Sequence, residues 1–474
     1  MNLRKIKTIH FTGIKGVGMT ALALAAQDLG KVVSGSDTAE IFPTSQILKQ
    51  RQIKLKIGFS PQHLPKNCDL LIYTGAHDGQ ANSEVRTALE RNIPVLPHSQ
   101  ALGLFSDGYK TLAVAGVGGK STTSAILATI LDTAGLRPSF CVGAGNIPCL
   151  KTPGRMVRKS KYFVAEADEY VTDPQANLTP RFHYLKPFVA VITNLEYDHP
   201  DVYKNLDAIF DSFRTFIQPV PQDGLVVLNI DNPHIRQFIK TIDKPVTTYG
   251  FSPQADWQIV KVHVADKKQF LQLKYKNIIW PELIINLPGN YNALNSVAAV
   301  AASYHLGVSP EKIKLGLKRF TGVKRRFEFI GEAKGVSLYD DYAHHPTEIQ
   351  AVLAAAKNWL PGKRLIVIFQ SHTYSRTKAL LTGFAKSFEL GDVVIINDIF
   401  SSARETDSLG LTGPVFEKEV KKYHHHVYYC PGEVETLNCL QKIAAKNDVI
   451  FTLGAGNNWL WHKQIIKCLK QISY

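Results

Sequence analysis

Short apolar runs alternate with longer segments of helical periodicity along most of the chain. Residues 112–115, 188–192 and 365–369 are wholly apolar, which is typical of strands buried on both faces of a parallel sheet. Longer segments lie between such runs, and the one at 293–302 carries alanine and valine on a face suited to a core. Strands that alternate with helices predict an α/β fold.

A glycine-rich loop separates the strand at 112–115 from a predicted helix that ends at Gly135. Glycines lack a Cβ atom, so the backbone N–H groups can turn toward an anion at the positive end of the helix. Lys120 would contact a β- or γ-phosphate and Ser121 would hold Mg²⁺, although Val114 stands where the strict P-loop pattern has its first glycine. A plain glycine-rich turn is the alternative. The predicted phosphate-binding residues are Gly116, Val117, Gly118, Gly119, Lys120, Ser121 and Thr122.

A second glycine loop follows the strand predicted for residues 6–12. The helix after it and a strand that leads to Asp37 complete a unit typical of the start of a Rossmann-like domain. The glycines are spaced Gly13-x-x-Gly16-x-Gly18 rather than G-x-G-x-x-G, so we expect a single pyrophosphate rather than a full dinucleotide. Tight packing of the strand against the helix is the alternative.

Acidic residues follow two predicted strands of the central region. They are Glu166, Asp168 and Glu169 after the first strand, and Glu196 and Asp198, with Asn194 and His199, after the second. Ligands of an open parallel sheet lie at the carboxyl ends of its strands, where these side chains would meet the phosphate loop. We therefore expect Glu166 and His199 to serve Mg²⁺. The alternative is that the acids cap the helices that follow.

Further polar positions mark a helix and two strand ends. Asn292 and Asn295 have the spacing of one helical face and would meet an adenine edge, unless Asn292 is an N-cap. A later strand leads to aspartates and histidines just before Pro346, and another leads into a histidine and an arginine. These strand-end residues are Asp340, Asp341, His344, His345, His372 and Arg376, and Arg325 and Arg326 precede them.

The length of 474 residues and the repeated pattern predict three domains. We expect a Rossmann-like domain over 1–107, a central P-loop ATPase-like α/β domain over 108–321, and a C-terminal Rossmann-like α/β domain over 322–474.

Composition narrows the class of protein. The excess of 55 Lys+Arg over 40 Asp+Glu lacks dense basic runs with interleaved aromatics, which favours small polyanionic substrates over nucleic acid. No apolar run reaches the length of a membrane span, and the N-terminus lacks the long apolar segment of a signal peptide. We therefore expect a cytoplasmic protein. The 6 cysteines form no C-x-x-C pair and are expected to be reduced.

Several motifs stand together in one order: GVGGKSTT, EADEY, TNLEYDH, GNYNALN, GVKRRFE, DDYAHHPTE and FQSHTYSRTKALL. In this order they resemble the bacterial Mur ligases over essentially the whole chain, and most closely the members that add L-alanine. The resemblance implies that ATP phosphorylates the carboxylate of UDP-N-acetylmuramate, with Mg²⁺ as cofactor. The amine of L-alanine then attacks the acyl phosphate, in peptidoglycan precursor synthesis.

The resemblance also implies roles for individual residues. Those implied for catalysis are Lys120, Glu166, His199, His344 and Arg376, and those for the magnesium ions are Ser121, Glu166 and His199. Beyond the phosphate loop, ATP would be bound by Asn292, Asn295, Arg326 and Asp341. The implied residues for the UDP substrate are Gly13, Ile14, Gly16, Gly18, Ser36 and Asp37. The implied residues for the amino acid are Tyr342, His344, His372 and Arg376.

The chain departs from the family pattern near these sites. Val117 and Gly118 replace a threonine and a histidine, Thr373 replaces an arginine, and Tyr291 replaces a histidine. One alternative is a murein-peptide ligase that joins a tripeptide to the same sugar nucleotide. Another is a catalytically silent, ATP-binding regulatory protein. The sequence leaves a monomer and a homodimer equally open.

Overall fold

The structure is a computed structural model that describes residues 1–197, 202–401, 405 and 407–472. The described residues divide into two compact units. The first comprises residues 1–286 and 292–324, and the second comprises residues 287–291 and the chain from residue 325 onward. Two large sheets lie in the described part of the first unit and one in that of the second, so the predicted three-part α/β architecture is confirmed. The boundaries at 107 and 321 stay predictions.

The first sheet is parallel throughout, with the strand order β3-β2-β1-β4-β5. Its region comprises β1 (Thr8–Thr12), α1 (Val17–Asp28), β2 (Val32–Asp37), α2 (Ser45–Gln50), β3 (Lys54–Ile57), β4 (Leu70–Tyr73), α3 (Ser83–Glu90), β5 (Val95–Pro97) and α4 (His98–Ser106). The chain switches sides between β1 and β4. Open sheets bind ligands in the crevice at such a point, and the glycine loop after β1 lies there.

The second sheet has the order β17-β16-β15-β14-β13-β12-β6-β9-β7-β8, with β18 paired to β16. Its first half comprises β6 (Lys110–Ala115), α5 (Lys120–Thr133), β7 (Ser139–Cys141), β8 (Gly154–Arg155), β9 (Tyr162–Glu166), β10 (Val171–Asp173), β11 (Asn177–Pro180) and β12 (Pro187–Ile192). Strands β10 and β11 form a separate antiparallel hairpin. Because β9, β6 and β12 are parallel neighbours, their carboxyl ends and the loop before α5 share one edge.

The remaining elements of the first unit extend this sheet and cover it. They are α6 (Leu206–Ile217), β13 (Leu225–Asn229), α7 (Pro233–Phe238), β14 (Val246–Gly250), β15 (Trp257–Ala265), β16 (Lys268–Tyr275), β17 (Ile278–Ile279), β18 (Leu283–Ile285), α8 (Asn290–His305) and α9 (Pro310–Arg319). Helix α5 is buried from Ser121 to Leu131. Helix α9 packs closely on it at Gly316, where a Cβ would lie 2.7 Å from the Ile130 Cα.

The third sheet lies in the second unit and has the order β19-β20-β24-β21-β22-β23. The pair β19–β20 is antiparallel and the other pairs are parallel. The elements are β19 (Glu328–Ala333), β20 (Val336–Asp341), α10 (Pro346–Trp359), β21 (Leu365–Phe369), α11 (Tyr374–Ala379), α12 (Leu381–Lys386), β22 (Val393–Ile396), α13 (Gly413–Val420), β23 (Val427–Tyr429), α14 (Glu433–Ile443), β24 (Val449–Leu453) and α15 (His462–Gln471).

All six cysteines are free thiols in the structure. Among the described helices, none is long and apolar enough to cross a membrane.

Candidate active site

The loop between β6 and α5 is held in place by the end of β12. The Gly118 N–H donates to Asn194 Oδ1 at 3.0 Å, and the Thr193 hydroxyl donates to the Gly118 carbonyl at 2.6 Å. Gly119 has a φ of +83°, and a Cβ there would overlap the Asn295 side chain. Only glycine fits this conformation without strain. The loop therefore presents the N-terminus of α5, whose N–H groups and dipole favour an anion.

Lys120 is the first residue of α5, and its ammonium contacts a carboxylate. It donates to the two oxygens of Glu169 at 2.9 and 3.2 Å. Burial lowers the pKa of Lys120, but the charges of Glu169 and Asp168 outweigh burial and raise the pKa above its usual value. Lys120 is therefore a fixed cation beside the predicted phosphate-binding loop.

The predicted metal ligands Ser121 and Glu166 are in direct contact. The Ser121 hydroxyl donates to Glu166 Oε1 at 2.9 Å, and the Gly143 N–H donates to Oε2 at 2.7 Å. Burial raises the pKa of the Glu166 carboxyl, although the charge of Lys120 opposes this shift. A hydroxyl and a carboxylate are the hard oxygen ligands that fit Mg²⁺. His199, the third predicted ligand, lies outside the described residues.

Within the described residues, no group of three His, Cys, Asp or Glu side chains is arranged to hold a metal ion. Mg²⁺ does not require such a group. The ion is commonly bound by one or two carboxylates and completes its octahedral shell with substrate phosphates and water.

Asn292 and Asn295 lie together on α8. Both are buried, and Asn295 Nδ2 donates to Asn292 Oδ1 at 3.3 Å. The alternative that Asn292 is an N-cap is wrong, because α8 already begins at Asn290. Thr122, also predicted to bind ATP, is buried inside α5. Gly116, Val117, Gly118 and Gly119 precede the helix, and Gly116 has a φ of +125°.

The glycine loop of the first domain is fixed by Asp37. Its Oδ2 accepts the Lys15 N–H at 2.7 Å, which ties the end of β2 to the loop after β1. Gly13, at the start of this loop, has a φ of +81°. Ile14 is fully buried, its N–H donates to the Ser36 carbonyl at 3.1 Å, and its carbonyl accepts the Thr20 hydroxyl at 2.7 Å. The structure thus places Asp37, at the end of β2, against the loop that begins at Gly13.

Buried polar side chains lie next to Ser36 and Gly18, two further residues predicted to bind the UDP substrate. The Ser36 hydroxyl donates to Glu84, a fully buried carboxylate, and Gly16 is the N-cap of α1. A Cβ at Gly18 would lie 3.0 Å from His98 Nε2. Burial lowers the pKa of His98 to about 4, so the ring is neutral at physiological pH. Glu84 and His98 were not predicted as part of the site.

In the second unit, Asp341 ends β20 as a buried carboxylate. It accepts the N–H groups of Phe327 and Ala343 at 2.7 and 2.8 Å. Burial raises the pKa of Asp341 to about 6, although the charge of Arg326 opposes this shift. The structure thus brings the predicted residues Arg326 and Asp341 near each other.

Predicted amino-acid-binding residues cluster after β20. Tyr342 and His344 pack edge to face with ring centroids 5.1 Å apart, and the Arg326 guanidinium lies 5.4 Å from the Tyr342 ring. His344 Nδ1 lies 3.4 Å from Glu348 Oε2. Burial lowers the pKa of His344, Glu348 opposes this effect, and the charge of Arg376 adds to the lowering. The charge effect of Arg376 on His344 indicates that these two predicted residues share one region.

His372 and Arg376 flank the start of α11. The His372 ring stacks on Phe400 with centroids 5.7 Å apart. The Tyr374 N–H donates to Glu405 at 2.6 Å, so a carboxylate caps the helix that carries Arg376.

Sequence reasoning placed Glu169 and Asn194 at the strand ends that meet the phosphate loop, but it did not predict their partners Lys120 and Gly118. It missed Glu348, although this residue lies at i+4 from His344 at the start of a helix. Glu84 and Glu405 reach their partners from distant parts of the chain. No local pattern could have found those two residues.

The first unit combines an anion-binding helix start, a fixed lysine and paired oxygen ligands with a Rossmann-like sheet. This combination is typical of α/β proteins that bind phosphorylated ligands at strand ends. Comparison with known protein families identifies this class of protein more closely. Residues 8–110 match the description "Mur ligase family, catalytic domain", residues 114–303 match "Mur ligase middle domain", and residues 325–456 match "Mur ligase, glutamate ligase domain". The chain belongs to the Mur ligase family, and the predicted resemblance is confirmed.

Named relatives and solved structures cover nearly the full chain. A UDP-N-acetylmuramate–L-alanine ligase of Caldanaerobacter subterraneus subsp. tengcongensis is 40% identical over 464 residues, which are 96% of each chain. A UDP-N-acetylmuramate–alanine ligase from Thermotoga maritima has a TM-score of 0.81 at 25% identity, over 98% of both chains. A murein peptide ligase from Psychrobacter arcticus has a TM-score of 0.72 at 24% identity, over 99% of this chain and 100% of that one. The last similarity concerns the fold alone.

Proposed function

We propose that this protein is an ATP-dependent ligase that joins L-alanine to the carboxylate of UDP-N-acetylmuramate, in peptidoglycan precursor synthesis. The observation that carries the proposal is the cluster at the start of α5, where Lys120 is held as a cation beside the contact of Ser121 with Glu166. A phosphoryl-transfer site needs these groups. The identity of 40% over nearly the whole length of an L-alanine ligase supports the choice of substrates.

The reaction has two balanced steps. A carboxylate oxygen of UDP-N-acetylmuramate attacks the γ-phosphorus of ATP, which forms an acyl phosphate and releases ADP. The amine of L-alanine then attacks the acyl carbon, loses a proton, and expels inorganic phosphate as the amide forms. The activating group comes from ATP, so the protein needs no nucleophilic side chain. Its residues bind and orient the reactants, exclude water and stabilise developing charge.

In the first unit, Lys120 would stabilise the negative charge on the transferring phosphoryl group, and the N-terminus of α5 would bind phosphate oxygens. Ser121 and Glu166 would hold Mg²⁺, and His199 is a further candidate for this ion. Mg²⁺, when bound, neutralises charge on the phosphates. Asn292 and Asn295 would contact the adenine of ATP. The loop at Gly13–Gly18 with Asp37 would bind the UDP moiety.

In the second unit, the cluster after β20 and the start of α11 would bind the amino acid. Tyr342, His344 and His372 would line this site, and Arg376 would bind the α-carboxylate of alanine. Arg326 and Asp341 would contact the nucleotide. We expect the reaction to take place in the cytoplasm, which supplies ATP.

Mass spectrometry of a complete reaction tests the proposal. The mixture contains the enzyme, ATP, Mg²⁺, UDP-N-acetylmuramate, L-alanine and the tripeptide L-alanyl-γ-D-glutamyl-meso-diaminopimelate in equal amounts. The expected product is the L-alanine adduct, and it should form only with ATP. A tripeptide adduct as the main product would assign the protein to the murein-peptide ligases. No adduct and no substrate-dependent phosphate release would favour a silent ATP-binding protein.

A further inference from the structure

Asp173, the last residue of β10, is a fully buried carboxylate that contacts the first domain. Its Oδ2 accepts the Gln80 N–H at 3.0 Å and its Oδ1 accepts the Gln175 N–H at 3.0 Å, and its charge acts on the Tyr73 hydroxyl of the first domain. Gly79 has a φ of +49°, and a Cβ there would overlap the Asp173 carboxylate. A glycine at this position therefore lets the loop after β4 close onto Asp173.

The opposite side of this loop contacts the predicted UDP site. We name residues 74–80 the β4 loop. A Cβ at Gly13 would overlap the Thr74 methyl group, and His77 Nε2 lies 3.9 Å from Asp37 Oδ1. The β4 loop thus lies between Asp173 and the two residues predicted to bind the pyrophosphate.

Asp173 is also close in sequence to the phosphoryl-transfer site. Strand β9 ends at Glu166, and a short segment leads from there to β10, which ends at Asp173. The same strand contacts the first domain a second time, because the hydroxyls of Thr172 and Ser99 lie 2.9 Å apart. A shift of this segment would therefore move the β4 loop relative to Glu166.

This contact buries a charged carboxylate, which costs more free energy than burying an apolar side chain. Burying a carboxylate is unfavourable unless strong hydrogen bonds replace its hydration. Here burial, and then the charge of Asp173, raise the pKa of the Tyr73 hydroxyl to about 12, so Tyr73 remains protonated at every physiological pH. Tyr73 is the last residue of β4, at the ligand-binding edge of the first sheet.

We propose that Asp173 is a positioning residue that fixes the β4 loop, and through it the sugar nucleotide, relative to the phosphoryl-transfer site. The inference rests on the proposed function, since it takes UDP-N-acetylmuramate as the ligand of the first domain. Asp173 contacts no reacting atom and acts through the β4 loop.

Measurements of ligand binding distinguish a positioning role of Asp173 from a general effect of Asp173 on stability. Asp173→Asn keeps the volume but removes the charge, and Tyr73→Phe removes only the hydroxyl on which that charge acts. The control is Asp69→Asn: Asp69 also accepts two backbone N–H groups of the first domain, those of Lys7 and Thr8 at 2.8 and 2.9 Å, but at the opposite edge of the same sheet. Calorimetry gives the Kd of UDP-N-acetylmuramate and of ADP for each variant, and thermal unfolding gives the Tm.

The expected result is selective. Loss of a hydrogen bond to a charged group should weaken UDP-N-acetylmuramate binding by about 10-fold or more in Asp173→Asn, and by less in Tyr73→Phe. The Kd of ADP should stay within about 2-fold of the parent value, and Asp69→Asn should leave both constants unchanged. If Asp173→Asn does not fold, Tyr73→Phe carries the test alone.

Two outcomes would overturn the inference. One is an unchanged Kd for the sugar nucleotide in folded Asp173→Asn or, where only Tyr73→Phe folds, in that variant. The other is an equal loss of ADP and sugar-nucleotide binding, which would assign Asp173 a merely structural role. A parent protein that binds ADP but no UDP-N-acetylmuramate would overturn the proposed function, and the inference with it.

Discussion

Replacing Lys120 by Met should damage both stability and catalysis, and the two effects can be separated. The side chains of Lys120 and Glu169 are only 15% and 5% exposed, and their charged atoms are 2.9 Å apart. Without the ammonium, Glu169 is left as a buried carboxylate beside Glu166 and Asp168. Met keeps the volume of the lysine stem, so the change removes charge rather than packing.

The expected magnitudes follow from this geometry. Removing one partner of a buried ion pair costs about 3–5 kcal/mol, because the charge of the other partner stays buried. For domains of this size, each kcal/mol lowers the Tm by about 2–4 °C. Loss of a donor that stabilises charge in the transition state lowers turnover by about 10²–10³-fold.

The double variant Lys120→Met/Glu169→Gln is the matched control. It replaces the whole ion pair by neutral side chains, which is often nearly neutral for stability. We therefore expect the second change to restore most of the Tm without restoring turnover. Thermal unfolding and a phosphate-release assay, made on the parent and on the single and double variants, give the two quantities.

Two results would refute this reasoning. If Lys120→Met keeps full turnover, Lys120 does not stabilise the transferring phosphoryl group. If the double variant regains turnover together with its Tm, the loss in Lys120→Met came from misfolding rather than chemistry.

Three further changes have expected outcomes. Gly119→Ala should lower ATP-dependent turnover at least about 10-fold, because the new Cβ overlaps Asn295, whereas Gly135→Ala has the same φ of +83° in open space and should cost only the backbone strain of about 1–2 kcal/mol in thermal unfolding. Asp341 binds its proton more tightly when folded, so it lowers stability as pH rises from 3.8 to about 6; Asp341→Asn should remove about 1.4 kcal/mol per pH unit of this slope in denaturant titrations. Arg376→Lys should raise the alanine KM by about 10- to 150-fold, with little change in the ATP KM, in steady-state kinetics.

Patterns of neighbouring residues were enough to predict the strands, loops and helix starts that carry the site. The apolar run at 112–115 became part of β6, and Gly116 and Gly119 after it adopt the positive φ angles that a tight strand-to-helix loop requires. Pro346 begins α10 as its fixed φ predicts. These features depend on neighbours in the sequence, so the sequence alone determines them.

Contacts between distant segments could not be predicted in the same way. Lys120 pairs with Glu169 rather than with Glu166, although both acids follow the same strand. Ser36 reaches Glu84, and the packing of α3 against the sheet decides that contact. The pKa of Asp341 depends on burial, which no local pattern gives. Partner choice follows from tertiary packing, whereas the sequence shows only which side chains are candidates.

Three acids lie at or just after the end of β9, and their different partners determine which of them is suited to bind a metal ion. Asp168 forms an ion pair with Arg181 at 2.6 Å, and Glu169 forms one with Lys120. Glu166 instead accepts hydrogen bonds from a hydroxyl and a backbone N–H and forms no ion pair with the described residues. A divalent ion would have to displace Lys120 from Glu169 or Arg181 from Asp168, whereas at Glu166 it would replace only neutral donors. Electrostatics therefore favours Glu166 as the acid of this cluster that binds Mg²⁺.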